Sequence, residues 1–317
     1  MPHVLIAGRL HPSGLALLNG TAGVTYDYVE DVAEQSYAPL IGKADALVIR
    51  TQPLSAQTVT GAERLKIVSR HGVGYDAVDL NALNARRILL CVVGDVNSAS
   101  VAEHAMMLIL GCAKFLIRAD RSVRGGLWGW RNKLEAGEVG GKGLLILGYG
   151  RTGRHLARMA AAFGMEMRAY DPFLAETNWP AGPAAPVSSL AEGLAWADVI
   201  SVNMPKADRP ILGAQELARV KPGVVVVNTA RGGIVDEIAL AEALADGRVA
   251  AAGLDVFDAE PPAADHPLLR FDQVLLTPHI AGLTRQAAER MSVASVQNVL
   301  NFFAGRIDPD LIVNKGF

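Results

Sequence analysis

The sequence predicts an α/β chain made of two doubly wound parallel-sheet domains, one inserted into the other. Three observations carry this expectation. Short, largely apolar runs recur along the chain, stretches of helical spacing separate them, and a glycine-rich turn closes a run that lies well past the first third of the sequence.

The runs, rich in Val, Ile and Leu, occupy 4–7, 46–49, 65–68, 88–93, 144–147, 165–170, 199–202, 224–227, 249–254 and 274–276. Successive apolar residues suit strands buried on both faces, and helical stretches between them suit crossovers that cover a parallel sheet. Four strands are expected within residues 1–93. An apolar helical pattern from Ser100 to about Arg121 then leads into the second domain. A helix from about Thr284 to Phe303 is expected to return to the first, because the two ends of an inserted domain usually lie close together. The expected division is 1–98 with 285–317 for one domain and 99–284 for the other.

Residues 144–153 read Leu-Leu-Ile-Leu-Gly-Tyr-Gly-Arg-Thr-Gly, a strand breaking into G-x-G-x-x-G. Gly148 allows the tight turn, Gly150 lets the backbone approach a pyrophosphate, and Gly153 lets the next helix pack closely on the strand. The pyrophosphate then meets the helix N-terminus. Asp171 closes the following apolar run, about 20 residues further on, where a carboxylate can receive the ribose 2′-hydroxyl. A lone glycine pattern arises by chance; strand, glycines, helix, second strand and terminal carboxylate in order point to a dinucleotide. The same carboxylate would repel a 2′-phosphate and no Arg follows in Pro172-Phe173, so NAD rather than NADP is expected.

The net charge of −2 comes from scattered residues without a basic face, so no nucleic-acid partner is expected. Cys91 and Cys112 lie far apart without C-x-x-C spacing, which fits a reduced, intracellular chain. Neither a signal-like start nor a long uncharged apolar span occurs, so no membrane partner is expected and a cytoplasmic location is. The patterns H-E-x-x-H and G-x-S-x-G are absent, Gly141-Lys142 lacks the rest of a P-loop, and no metal is expected.

Three charged residues stand just past strand ends in the second half: Arg231 in Asn-Thr-Ala-Arg-Gly-Gly, Glu260 before Pro-Pro, and His279 in Thr-Pro-His-Ile-Ala-Gly. Open α/β sheets bind ligands there. Imidazole titrates near neutrality and suits a hydroxyl proton, a carboxylate can orient it, and a guanidinium can grip a substrate carboxylate in bidentate fashion. Taken singly, each has a plainer reading, as a surface arginine, a loop acid or a helix-flanking histidine; together they mark a site. Arg70-His71-Gly72-Val73-Gly74-Tyr75-Asp76 is expected to follow the third strand and open a helix, its N–H groups cradling a carboxylate. A plain tight turn is the alternative. Ser100, with Glu103 three residues on, reads as a helix N-cap. His3, His11, His104, His155 and His266 are weaker candidates.

These residues resemble the D-isomer-specific 2-hydroxyacid dehydrogenase family over nearly the whole chain. The resemblance rests on 70–76, Ser-Val-Ala-Glu-His at 100–104, Leu-Gly-Tyr-Gly-Arg-Thr-Gly at 147–153, Lys-Pro-Gly at 221–223, Asn-Thr-Ala-Arg-Gly-Gly at 228–233, Gly-Leu-Asp-Val-Phe at 253–257, Glu-Pro-Pro at 260–262 and Thr-Pro-His-Ile-Ala-Gly at 277–282. It implies a Rossmann cofactor domain inserted into a flavodoxin-like substrate domain. It also implies hydride transfer between NAD and a small 2-oxo or 2-hydroxy acid, with His279 as acid/base, Glu260 tuning it and Arg231 holding substrate. Arg70, His71, Gly72, Val73, Gly74 and Asn97 would bind substrate, Val73 and Gly74 through their N–H groups. Gly148, Tyr149, Gly150, Arg151, Thr152, Gly153, Asp171, Pro172, Asn203, Pro205, Thr229 and Ala230 would hold the cofactor, with Asp255 and Gly282 at its nicotinamide end.

A homodimer is implied through the region from Ser100 to Trp128-Gly129-Trp130, although those tryptophans also suit ordinary core packing. Residues 203–208 depart from the family's His-x-Pro-Leu-Thr stretch, which leaves their cofactor contacts open. The regulatory extension of many phosphoglycerate dehydrogenases is not expected after the last helix. Two other readings stand beside the main one. A phosphorylated substrate such as 3-phosphoglycerate would want cations near the first-domain loop, where Arg50, Arg70 and His71 are the candidates. An NAD(H)-sensing corepressor-like protein would keep the fold without the turnover.

Overall fold

Five parallel strands form the sheet of the first unit: β1 (His3–Ala7), β2 (Thr25–Val29), β3 (Ala46–Ile49), β4 (Ile67–Arg70) and β5 (Leu89–Cys91), in the order β2-β1-β3-β4-β5. The computed structural model describes residues 1–316, and this unit takes in residues 1–97 and those from Thr284 onward. Along β1 and β3, Leu5, Ala7, Leu47 and Ile49 pack with Val59 and Leu83 on one side, while Val4, Ile6, Ala46 and Val48 pack with Leu18, Val296 and Val299 on the other. Burial on both faces is what made these runs uninterruptedly apolar. Each of the Val, Leu and Ile side chains contributes roughly 1.5–3 kcal/mol by leaving water.

Two departures from expectation lie here. The unit has five strands rather than four: β2 is an edge strand of sequence Thr-Tyr-Asp-Tyr-Val, mostly half-buried, whose polar positions broke the apolar signal. The strand expected at 65–68 starts two residues later, as β4, with Leu65 and Lys66 ahead of it. The Arg285–Phe303 helix packs on β3, β4 and the Pro12–Asn19 helix. Beyond it, the chain runs back along β5, where Val92 N–H donates to Leu311 O, Val313 N–H to Leu90 O, and Leu90 N–H to the Asn314 side chain.

Residues 98–283 form the second unit around seven parallel strands: β6 (Gly143–Leu147), β7 (Glu166–Tyr170), β8 (Ala185–Pro186), β9 (Val199–Val202), β10 (Val224–Asn228), β11 (Val249–Leu254) and β12 (Val274–Leu276). Their order is β12-β11-β10-β9-β6-β7-β8, the doubly wound Rossmann order extended by one strand. The chain reverses direction between β6 and β9, so the crevice outside their carboxyl ends is the place for a ligand. In the first unit the corresponding reversal lies between β1 and β3.

The long helical pattern predicted from Ser100 is two helices, Ser98–Ala113 and Leu116–Arg124, bent by 59°. The break comes at Phe115, whose φ of 47° is left-handed. The first helix starts two residues before Ser100, which is therefore a buried first-turn residue and not the cap. No single helix among the described residues is long and apolar enough to cross a membrane; this bent pair passes only by joint length and composition. No His, Cys, Asp and Glu cluster suited to a metal occurs among the described residues.

Candidate functional site

The glycine turn sits at the reversal point of the second sheet, joined by the loop that leaves β9. Gly148 N–H donates to Tyr170 O at 2.9 Å and Asn203 N–H to Leu147 O at 2.7 Å, so the two loops leave their strands side by side. Gly148 has φ +92°, and a Cβ there would lie 2.8 Å from the Asn203 carbonyl oxygen. A Cβ on Gly153 would stand 2.3 Å from Gly148 O, which explains the close packing of the Arg151–Ala162 helix on its strand. Gly150 caps that helix with no side-chain bond and has open space where a Cβ would be. The helix N-terminus is thus bare and approachable, as an anion site requires.

Asp171 follows β7 directly, with its carboxylate half used. Oδ2 accepts Tyr149 N–H at 2.9 Å and Oδ1 accepts Leu174 N–H at 3.1 Å. A carboxylate offers about four lone-pair sites, so two remain for ribose hydroxyls. Asn203 Oδ1 and Thr229 Oγ1 are buried without a hydrogen-bond partner. Buried polar atoms left unpaired are costly and call for a ligand or water. Turn, bare helix end, spare carboxylate sites and two orphaned acceptors fit a dinucleotide. Tyr149 departs from expectation in one respect. Its ring is fully buried, stacked on Trp179 at 5.1 Å, and its hydroxyl accepts Ala184 N–H, so its side chain supports the 177–184 segment and does not face a ligand.

Arg231, Glu260 and His279 follow β10, β11 and β12, three neighbouring parallel strands, at their carboxyl ends. His279 Nδ1 lies 2.7 Å from Glu260 Oε2, while Glu260 Oε1 accepts Phe257 N–H at 3.0 Å. The carboxylate is therefore held by backbone and in turn holds the ring. His279 keeps half its side chain exposed. Around the pair, Phe257, Pro261, Leu276 and Pro278 line a cavity of about 410 Å³, within the range of small-molecule sites. The Asn228 side chain clamps the 229–231 turn, accepting Ala230 N–H and donating to Arg231 O, which fixes the backbone from which the guanidinium projects.

His279 has φ 54°, a left-handed conformation that costs a non-glycine residue of the order of 1–2 kcal/mol. Fully buried Asp255 holds the loop in it. Oδ1 accepts Ile280 N–H at 2.9 Å and the Thr277 hydroxyl at 2.5 Å, Oδ2 accepts Ala281 N–H at 2.8 Å, and the Asp255 carbonyl accepts His279 N–H at 2.8 Å. The carboxylate is thus spent on the loop, and any touch on a nicotinamide is a separate matter. His104 Nε2, from the Ser98–Ala113 helix, lies 2.9 Å from Thr277 Oγ1. Sequence reasoning passed over His104 and Thr277; the only signal was their place in the Ser-Val-Ala-Glu-His and Thr-Pro-His motifs. His266, also passed over, pairs with Glu237 at 2.8 Å and meets Phe257 edge-on.

In the first unit the 70–76 stretch follows β4, the fourth strand, and does not open a helix; the next helix, Leu80–Ala85, starts after its cap Asp79. Arg70 Nη1 donates to His71 O at 2.7 Å and Val93 N–H to Gly72 O at 3.2 Å, which pins the turn. Val73 and Gly74 N–H groups bond no protein acceptor among the described residues, and Val73 is exposed. His71 is nearly buried. Its ring is 5% exposed with neither nitrogen hydrogen-bonded, and burial, helped by Arg50 and Arg70, pushes its pKa down to about 4. It is a neutral, nearly buried ring. Asn97, half-buried, immediately precedes the Ser98–Ala113 helix.

Comparison with known proteins agrees with this geometry. Residues 106–281 match the family model for the NAD-binding domain of D-isomer-specific 2-hydroxyacid dehydrogenases. The chain is 38% identical over 315 residues to D-3-phosphoglycerate dehydrogenase of Mycobacterium leprae, covering 98% of this chain and 59% of that one, so it spans under two thirds of that relative's length. It is 36% identical to hydroxypyruvate reductase of Thermotoga maritima over 85% of this chain and 88% of that one. A solved structure from Thermus thermophilus superimposes with a TM-score of 0.89 at 31% identity, covering 98% of this chain and all of that one. On these grounds the chain belongs to the D-isomer-specific 2-hydroxyacid dehydrogenase family.

Proposed function

We propose that the chain is an NAD-dependent dehydrogenase interconverting a small 2-oxo acid and its D-2-hydroxy acid. One observation carries the reading: the 2.7 Å bond between His279 and Glu260 on neighbouring strand-end loops of a unit whose glycine turn fits a dinucleotide. The nicotinamide, when bound, supplies the hydride for reduction and accepts it in oxidation. Glu260 takes the Nδ1 hydrogen of His279, which leaves Nε2 to exchange a proton with substrate. In reduction Nε2 gives its proton to the carbonyl oxygen, which becomes the new hydroxyl; in oxidation Nε2 takes that proton back. Arg231 grips the substrate carboxylate and polarises the carbonyl, and the unpaired Val73 and Gly74 N–H groups offer a second carboxylate cradle. Asn97 borders the substrate.

Asp171 selects NAD, because its spare lone pairs accept ribose hydroxyls and its charge repels a 2′-phosphate. Arg151, Thr152, Pro172, Asn203, Pro205, Thr229, Ala230 and Gly282 complete the cofactor set, with the Gly150 end of the helix for the pyrophosphate. The chain works as a homodimer in the cytoplasm. Exposed Leu116, Leu127 and Trp128 supply an apolar surface that a second copy would cover, and Cys91 and Cys112 are buried free thiols whose pKa burial raises to about 12. Light scattering reads the mass.

The test is His279→Gln with an NADH-linked panel of glyoxylate, hydroxypyruvate, pyruvate, oxaloacetate, phenylpyruvate and 3-phosphohydroxypyruvate. The variant should lose roughly 10²–10⁴-fold in turnover while binding NADH unchanged, since the residue handles a proton. Retained turnover defeats the assignment. A phosphorylated acid is the second reading, favoured by Arg50, which leaves β3 at the reversal point of the first sheet. Preference for 3-phosphohydroxypyruvate in the panel would establish it. Tight NADH binding with no acid reduced would favour a nucleotide-sensing role.

A further inference from the structure

We infer that His104 is a positioning residue for His279, acting through Thr277 and Asp255; the inference rests on the dehydrogenase reading above. The direction of the hydrogen bonds makes the chain specific. The Thr277 hydroxyl has one hydrogen and gives it to Asp255 Oδ1 at 2.5 Å. Toward His104 the hydroxyl must accept, so His104 Nε2 carries a hydrogen and donates across 2.9 Å. The same nitrogen lies 3.6 Å from Asp255 Oδ1, and only 13% of the His104 side chain is exposed. In such surroundings hydrogen bonds polarise one another, so the donation from His104 makes the Thr277 hydroxyl a stronger donor to Asp255 Oδ1.

What Asp255 holds is the reacting loop. Its two carboxylate oxygens take Ile280 and Ala281 N–H, and its carbonyl takes His279 N–H, so the left-handed backbone of His279 is gripped on both sides. Without the His104 donor the Thr277 hydroxyl donates less strongly to the carboxylate, and one of three side-chain-held points of the loop is loosened. His279 then spends less time with Nε2 correctly aimed, and a misplacement of about 1 Å can cost on the order of 10²-fold in rate. The plainer account is a core histidine satisfied by a neighbouring hydroxyl. It predicts changes in melting but none specific to the loop or to turnover.

The experiment uses the full chain with His104→Leu, His104→Gln, Thr277→Val and the His104→Leu/Thr277→Val double variant. Readouts are steady-state kinetics on the acid found in the panel, NADH binding by fluorescence, and hydrogen exchange of the 277–282 segment. His104→Leu should lower kcat about tenfold while KM for the acid and Kd for NADH stay within about twofold, and should speed exchange at Ile280 and Ala281. Glutamine, whose amide can donate to the same hydroxyl, should restore most of both. The double variant should be no worse than the weaker single one, since both changes cut one chain. The inference is overturned if the exchange of the loop is unchanged in His104→Leu, if exchange rises while kcat does not fall, or if Gln fares as badly as Leu. A wild-type enzyme that turns over no acid sinks the dehydrogenase reading instead, and exchange alone then decides whether His104 holds the loop.

Discussion

Gly150 and Gly153 lie three residues apart and should fail in different ways when each gains a methyl group. At Gly153 the added carbon would stand 2.3 Å from Gly148 O and 3.1 Å from an Ile146 methyl. A carbon and a carbonyl oxygen normally keep about 3.3 Å apart, so the Arg151–Ala162 helix must retreat by about 1 Å. That helix buries Leu156, Ala157 and Ala160 in the core, and such overpacking typically costs about 1–3 kcal/mol. For a domain of this size the loss corresponds to roughly 2–12 °C in melting temperature. NADH binding should weaken as well, because the helix N-terminus moves with the helix. At Gly150 the methyl meets nothing within 4 Å and the backbone is extended, so melting should not change. The methyl would instead occupy the approach of the pyrophosphate, and a clash of about 1–3 kcal/mol weakens binding roughly 5–150-fold. Differential scanning fluorimetry and NADH titration on both alanine variants separate the two effects. A Gly153→Ala protein that melts with the wild type, or a Gly150→Ala protein that binds NADH normally, would refute the division of labour.

Two more outcomes follow from the structure. Replacing Asp171 with Ala and Pro172 with Arg should raise the NADPH-to-NADH ratio of kcat/KM, because a repelling charge is removed and a phosphate partner supplied; an unchanged ratio counts against Asp171 as selector. His71 is held neutral, with its pKa lowered to about 4 from an ordinary 6.5. Below pH 6.5 the unfolded chain takes up a proton that the folded one refuses, so its contribution to stability is present above that pH and is lost as pH falls toward 4. The loss amounts to about 3 kcal/mol. His71→Leu should therefore lose less melting temperature than wild type between about pH 7.5 and about pH 4.5, and equal losses would remove His71 as the cause.

The strands of both sheets were legible mainly where both faces are buried, because few polar residues interrupt them. β2 was not, since an edge strand with Tyr26 and Tyr28 half-buried and Asp27 between them carries no continuous apolar run. That Arg231, Glu260 and His279 follow neighbouring strand ends could be read from the sequence, because strand ends are readable and parallel strands all present the same end to one crevice. The support beneath them could not. His104 and Thr277 are separated by 173 positions, and no local pattern records that a helix histidine donates to a strand-end hydroxyl. His71 shows a related limit: the side to which a residue points at the end of a strand depends on register, so no local pattern told that this ring is nearly buried. Ser100 lost its capping role for a simpler reason, since the helix starts at Ser98, ahead of the Ser-x-x-Glu pair that suggested the cap.

The segment that runs back along β5 ties Leu90 to Asn314, 224 positions away. A ribosome making this chain releases the first five strands long before the Arg285–Phe303 helix and the returning segment exist. Until then one face of that sheet and the open side of β5 stay uncovered, with unsatisfied amides that invite other strands. Residues 98–283, by contrast, are contiguous and can close as soon as they emerge. The part synthesised first is thus the part completed last, and the nascent 1–97 segment is where a chaperone or an aggregation partner would find its opening.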